Sequence, residues 1–120
     1  MEKAFQNRVD EWLLICFGEE IARNKIERNH RFIEESLELV QSLGCTISEA
    51  HQLVDYVFNR SPGDPPQECG GVMVTLAALC IANGMWMEGC AEVELNRIHN
   101  KIDQIRKKQA TKPKHSPLPE

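Results

Sequence analysis

The chain has 120 residues, 42% of them apolar, 27% charged and 6% aromatic, and a formal charge of −4. That is one domain's worth of chain, with apolar content for a core and an ordinary solvated surface. The negative balance excludes a nucleic-acid partner held on a broad basic face, although Lys101, Arg106, Lys107, Lys108, Lys112 and Lys114 gather near the end.

The N-terminal stretch "MEKAFQNRVDEW" is polar and charged, so no secretory signal is expected. Phe5, Val9, Trp12, Leu13 and Cys16 recur at helical spacing and predict a first helix over about 4–17, stopped by Gly18. A second is predicted over about 20–43, with Phe32, Ile33, Leu37, Val40 and Leu43 inward and Gly44 as its stop. In "TISEAHQLVDYVFNR" a third starts at an N-cap on Ser48, with Ala50, Leu53, Val54, Val57 and Phe58 inward. "SPGDPP" is a hard break, because proline lacks an N–H and fixes φ. Pro66 suits the first turn of a fourth helix over about 66–82, ended by Asn83-Gly84. Its "VMVTLAALCIA" is apolar almost all round, the pattern of a helix in the middle of a bundle. A fifth, over about 86–108, carries Val93, Leu95, Ile98, Ile102 and Ile105. The tail "KQATKPKHSPLPE" has three prolines and no apolar periodicity, and reads as extended or disordered unless it docks on a partner. The expected fold is an all-α bundle of about five helices over 1–109, with a tail at 110–120.

Cys16, Cys45, Cys69, Cys80 and Cys90 contain no C-x-x-C pair. Their odd number and apolar helical settings predict reduced, buried thiols in a cytoplasmic protein, without structural zinc. The longest apolar run, 72–82, is too short to cross a bilayer, so no membrane partner is expected.

Glu34, Glu35 and Glu38 crowd little more than one helical turn in "HRFIEESLELVQSL". Residues three and four apart are helix neighbours, so their heads converge. A solvated face explains this at a cost of about 0.2–0.5 kcal/mol per like-charge pair, and Arg31 can offset part of it. A shared metal ion is the alternative, and this segment alone favours the solvated face. Glu68, in the first turn of the fourth helix, suits a helix N-terminus in its own right. The adjacent Gly70-Gly71 pair is harder to explain, since each interior glycine costs about 1 kcal/mol relative to alanine. Such a pair implies a close approach, by a facing helix or by a ligand. Packed together, the two acidic turns would make an all-oxygen site suited to Mg²⁺ or Mn²⁺.

The pattern E-E-x-x-E on one helix, followed by E-x-x-D at the start of a later apolar helix, resembles the MazG-like all-α nucleoside triphosphate pyrophosphohydrolases. "EESLE" supplies the first half, Glu34, Glu35 and Glu38; "ECGG", from Glu68 to Gly71, aligns with the second. The stretches "RFIEESLELVQ" and "QECGGVMVTLAALC" are similar to the branch with small phage and bacterial members. The resemblance implies metal-dependent cleavage between the α- and β-phosphates of a nucleoside triphosphate, giving monophosphate and pyrophosphate, by a homodimer or homotetramer. It implies two or three Mg²⁺ or Mn²⁺ ions on Glu34, Glu35, Glu38 and Glu68, with Glu34 a ligand or the base for the attacking water. This chain departs from the family at Gly71, where an Asp is expected; Glu34, a water or Asp55 is left to fill that place.

Four carboxylates facing a triphosphate repel it by about 3 kcal/mol per pair at ~5 Å and an effective dielectric of 20, so the chemistry needs bridging cations. Lys101 and Arg106 either steady the β- and γ-phosphates, as the resemblance implies, or form a solvated basic face. Trp12 either stacks on the base or belongs to the core. The resemblance to the small phage members suggests a purine deoxynucleotide as substrate, dGTP first. The competing expectation is a catalytically degenerate helical interaction module, which Gly71 favours. No phosphate-binding glycine loop or nucleophile motif is present.

Overall fold

The computed structural model describes residues 3–112. Six helices follow one another: α1 Phe5–Ala22, α2 Lys25–Ser42, α3 Ile47–Phe58, α4 Pro65–Ala82, α5 Met87–His99 and α6 Ile102–Gln109. There is no strand among the described residues, and the chain is all-α.

Most boundaries have local causes. Gly18, at φ 80° and ψ 170°, breaks the helical conformation inside α1, and a last turn carries the helix on to Ala22. The second helix therefore starts at Lys25 rather than near Glu20, with the Asn24 side chain accepting from the Glu27 N–H at 3.0 Å. Thr46, not Ser48, caps α3: its hydroxyl accepts from the Glu49 N–H while the Glu49 carboxylate accepts from the Thr46 N–H. That reciprocal pair satisfies two donors that a helix start otherwise leaves without a partner. Asp64 caps α4 and Pro65 opens it, where a missing N–H costs nothing. Gly44 and Gly84 take the positive φ that ends α2 and α4. The expected fifth helix is two, because the chain breaks at Asn100 and Lys101.

The core lies between the ends of the chain. Trp12, Cys16 and Leu95 are buried, and Val9, Leu13, Phe17, Ile98, Ile102 and Ile105 pack around them. Thus α1, α5 and α6 form one closed nucleus, with α4 leaning on α5. Arg106 strengthens it, donating from Nε to the Cys16 carbonyl and from Nη2 to the Ile15 carbonyl at 2.7 Å. Those carbonyls lie just before the break at Gly18. The guanidinium thus satisfies acceptors that the helix end leaves open.

The faces expected inward elsewhere are not covered. Phe32, Ile33 and Leu37 on α2, Leu53, Val54, Val57 and Phe58 on α3, and Val72, Met73, Val74 and Ile81 on α4 are all exposed. So α4 is not the middle of a bundle within one chain. Of the cysteines expected to be buried, Cys16 and Cys80 are; Cys69 and Cys90 are exposed and Cys45 is intermediate, all as free thiols. The radius of gyration is 15.7 Å, against about 13.6 Å for a compact chain of this length. The accessible surface is 9769 Å², against about 6,600 Å² for a folded monomer of this mass. Among the described residues no single helix is long and apolar enough to cross a membrane.

Candidate functional site

The acidic face of α2 begins one turn after its Asn24 cap. Glu27 is buried, and Arg31 Nε stands 3.2 Å from its carboxylate. The Gln109 amide donates to Glu27 from the end of α6. Arg31 also reaches Glu34 at 3.2 Å, and Lys112 meets the same Glu34 oxygen at 2.8 Å. A polar seam thus ties the start of α2 to the end of α6, and Arg28, lying over the Phe17 ring, ties it to α1. Burial makes such charge-assisted bonds stronger than their surface equivalents.

Glu35 and Glu38 lie beyond that seam. Although the Glu35 side chain is exposed overall, partial desolvation first and then the charge of Glu38 hold its carboxyl above the ordinary glutamate range. Lys112 opposes the shift, while Glu34 and Glu94 add to it. Glu94, on α5, is itself kept low by hydrogen bonds from Arg97 at 2.9 and 2.7 Å. Four carboxylates therefore act on one region, three from α2 and one from α5. Like charges drawn together, such a group gains when a cation joins it.

Beside it, Glu34 and Glu38 also line a groove of about 740 Å³ between α2 and α3, with His30, Leu37, His51 and Val54 among its walls. Its lining is mainly apolar with a few polar groups at the edge, and its size falls in the range of about 300–1,000 Å³ usual for small-molecule sites.

The other expected site residues lie elsewhere. Glu68 folds back over its own N-terminal loop, so that a Cβ at Gly63 would stand 2.9 Å from the Glu68 Oε2. It does not figure among the charges acting on Glu35. Among the described residues no three His, Cys, Asp or Glu side chains come together as a metal-holding group. The set Glu34, Glu35, Glu38 and Glu68 has the right oxygen chemistry for Mg²⁺ or Mn²⁺, yet a single chain does not close it around one point. Asp55 is exposed on α3.

Trp12 belongs to the core: its Nε1–H donates to the Ile98 carbonyl at 3.2 Å and its ring meets Phe17 edge-on at 5.5 Å. Of the two sequence readings of Trp12, core and base stacking, this placement is the core one. Arg106 is likewise spent on the Ile15 and Cys16 carbonyls, so its fork is not directed at phosphates. Lys101 sits at the α5–α6 break with its side chain exposed.

Four residues of this region were missed by reading the sequence: Glu27, Lys112, Glu94 and Arg97. The i, i+4, i+7 series Glu27, Arg31, Glu34 was a usable signal for the first of them. The approach of Lys112 and Glu94 depends on how α5 and α6 return to α2, which no local pattern carries. Comparisons with protein-family models, with curated proteins and with solved structures find no match to this chain.

Proposed function

We propose that the chain is a Mg²⁺- or Mn²⁺-dependent nucleoside triphosphate pyrophosphohydrolase, releasing pyrophosphate and a nucleoside monophosphate, with a purine deoxynucleotide such as dGTP as substrate. The observation that carries this reading is the state of Glu35, whose carboxyl is pushed up by desolvation first and then by the charges of Glu38, Glu34 and Glu94, against Lys112. Structural ion pairs balance charge; this cluster leaves negative charge in excess, as a cation site does. Glu34, Glu35 and Glu38 are its core, and Glu68 joins them only if α4 is brought across α2.

The groove beside Glu34 and Glu38 is the proposed seat of the nucleoside, in place of Trp12. Leu37 and Val54 offer apolar cover, and His30 and His51 also line it. Lys101, exposed at its helix break, remains the candidate cation for the phosphates. Glu34, Glu35 and Glu38 would hold the metal ions, which when bound would supply positive charge for the phosphates and an acidified water.

A second reading, a helical interaction module without catalysis, is favoured by one observation: the carboxylate set does not close within one chain. Pyrophosphate release across dGTP, dATP, dCTP and dUTP, with Mn²⁺ or Mg²⁺, separates the two. The enzyme reading expects turnover with dGTP as the best substrate. No turnover, together with no metal-dependent rise in stability where about 2.7 kcal/mol is due at 100 times the dissociation constant, selects the module.

A further inference from the structure

The apolar lining of the groove between α2 and α3 is left in water. Ile33, Leu37, Ile47 and Val54 are 51%, 46%, 77% and 52% exposed. Glu38, which also lines it, makes no ion pair among the described residues.

The chain itself leads to this groove. At the end of α6 the Gln109 amide donates to Glu27, and Lys112 then meets Glu34 at 2.8 Å. Glu27 and Glu34 lie about 10 Å apart along the axis of α2. The segment after α6 thus advances along α2, and Lys112 rests on a carboxylate of the groove wall.

Residues 113–120, Pro-Lys-His-Ser-Pro-Leu-Pro-Glu, follow Lys112 directly and lie outside the described residues. Their chemistry suits the groove. In an extended chain, residues two apart face the same side and are about 6.5 Å apart. Glu34 and Glu38 are about 6 Å apart along their helix. With Lys112 on Glu34, Lys114 is therefore in register with Glu38, and a basic side chain meets an acid that has no ion pair. Leu118 is the one branched aliphatic residue of the eight. It comes far enough beyond Lys112, at about 3.1 Å per residue for a proline-rich chain, to reach the corner where Cys45 and Ile47 line the groove. Pro113, Pro117 and Pro119 reduce the chain entropy lost on docking, as in other proline-rich segments held by apolar grooves.

We propose that residues 113–120 bind along the α2–α3 groove of their own chain, with Lys114 paired to Glu38 and Leu118 on the apolar floor beside Cys45 and Ile47. The strap occupies the space assigned to the nucleoside, so it must leave before substrate enters. That consequence, unlike the docking, rests on the pyrophosphohydrolase reading.

Cys45 reports on the docking, because its thiol is free and lines the groove. The exposed Cys69 on α4 and Cys90 on α5 are internal references. The full chain is alkylated with N-ethylmaleimide over a range of protein concentrations, and each thiol is followed by peptide mass spectrometry. Leu118→Ser raises the Cys45 rate at least roughly tenfold, as loss of one buried leucine implies. Lys114→Ser raises it about two- to fivefold. Cys69 and Cys90 keep their rates in both variants, and the Cys45 rate of the unaltered chain does not depend on concentration. A Cys45 rate that Leu118→Ser leaves unchanged overturns the proposal. So does equal acceleration of all three thiols, which is a loosening of the whole chain. Cys45 protection that grows with concentration also overturns it, by placing a second copy in the groove. With dGTP, Leu118→Ser lowers KM at unchanged kcat; an unchanged KM in an active chain overturns the competition with substrate. The thiol readout needs no turnover, so an inactive chain removes the pyrophosphohydrolase reading and leaves the docking to be decided by Cys45.

Discussion

The two halves of this chain differ in how far their burial is complete. In α1, α5 and α6 the amphipathic pattern is met within the chain: Trp12, Cys16 and Leu95 are buried, and the Trp12 and Arg106 hydrogen bonds are made across about the whole length of the sequence. In α2, α3 and α4 the same kind of pattern leaves large side chains in water, among them Phe32, Phe58 and Ile81. Both halves form helices, because caps and propensity act locally. Apolar periodicity says which face wants cover; it does not say which molecule supplies it. The acidic face of α2 lies at the boundary between the halves, tied at its start to α6 and open beyond.

The largest expected effect is in the closed half. Trp12→Ala removes a buried indole and strands the Ile98 carbonyl, and should cost about 3–5 kcal/mol in denaturant unfolding. Phe58→Ala, at a residue 80% exposed, should change the stability of the isolated chain by less than about 0.5 kcal/mol. Equal costs at the two positions would break the distinction. Next, Arg106→Ala should cost about 1–3 kcal/mol by leaving the Ile15 and Cys16 carbonyls short of a donor. A phosphate-binding role instead predicts unchanged stability and a raised KM.

Glu38→Gln should abolish pyrophosphate release while leaving helix content intact. It removes a like charge beside Glu35, so the metal-free protein should melt slightly higher, by the few tenths of a kcal/mol typical of such pairs. Activity and metal response left untouched would return this face to the solvated reading.

The smallest effect is a pH dependence, and its sign differs between two facing glutamates. Glu35 is held above the ordinary value of 4.5. From 4.5 up to its raised folded value the folded state binds more protons than the unfolded one, so this group's contribution to stability falls as pH rises. Glu94 is held below 4.5 by Arg97; its contribution is present above 4.5 and is lost as pH falls through the lowered value. Melting temperatures from neutral to weakly acid pH should therefore show a smaller gain on acidification in Glu35→Gln than in the unaltered chain. Parallel curves would contradict the crowding at Glu35.

Much of the fold was legible because it is written locally. Gly44, Gly84 and the proline break before α4 mark ends that the structure keeps. The Thr46 cap was legible too, in the spacing T-x-x-E, but Ser48 competes with it at first sight. The α5–α6 break was not, because Ile98, Ile102 and Ile105 keep helical spacing across it and all three pack on the same core. Of the candidate site, the convergence of Glu34, Glu35 and Glu38 follows from helix geometry alone. The positions of Glu68, Trp12 and Arg106 depend on tertiary packing, so the sequence left Trp12 open between core and base, and Arg106 between phosphates and a solvated face. A lone aromatic at core spacing and a basic residue opposite a helix end are both more readily absorbed by structure than by ligand.

Amide hydrogen exchange along the chain tests the contrast between the halves most directly. Protection should be strongest around Trp12 in α1 and around Ile102 and Ile105 in α6, where the apolar faces are covered. Protection in α3 and in α4 from Gly71 to Ile81 should be weaker, because their large apolar side chains are exposed. Exchange in α3 and α4 as slow as in α1 and α6 would contradict the account.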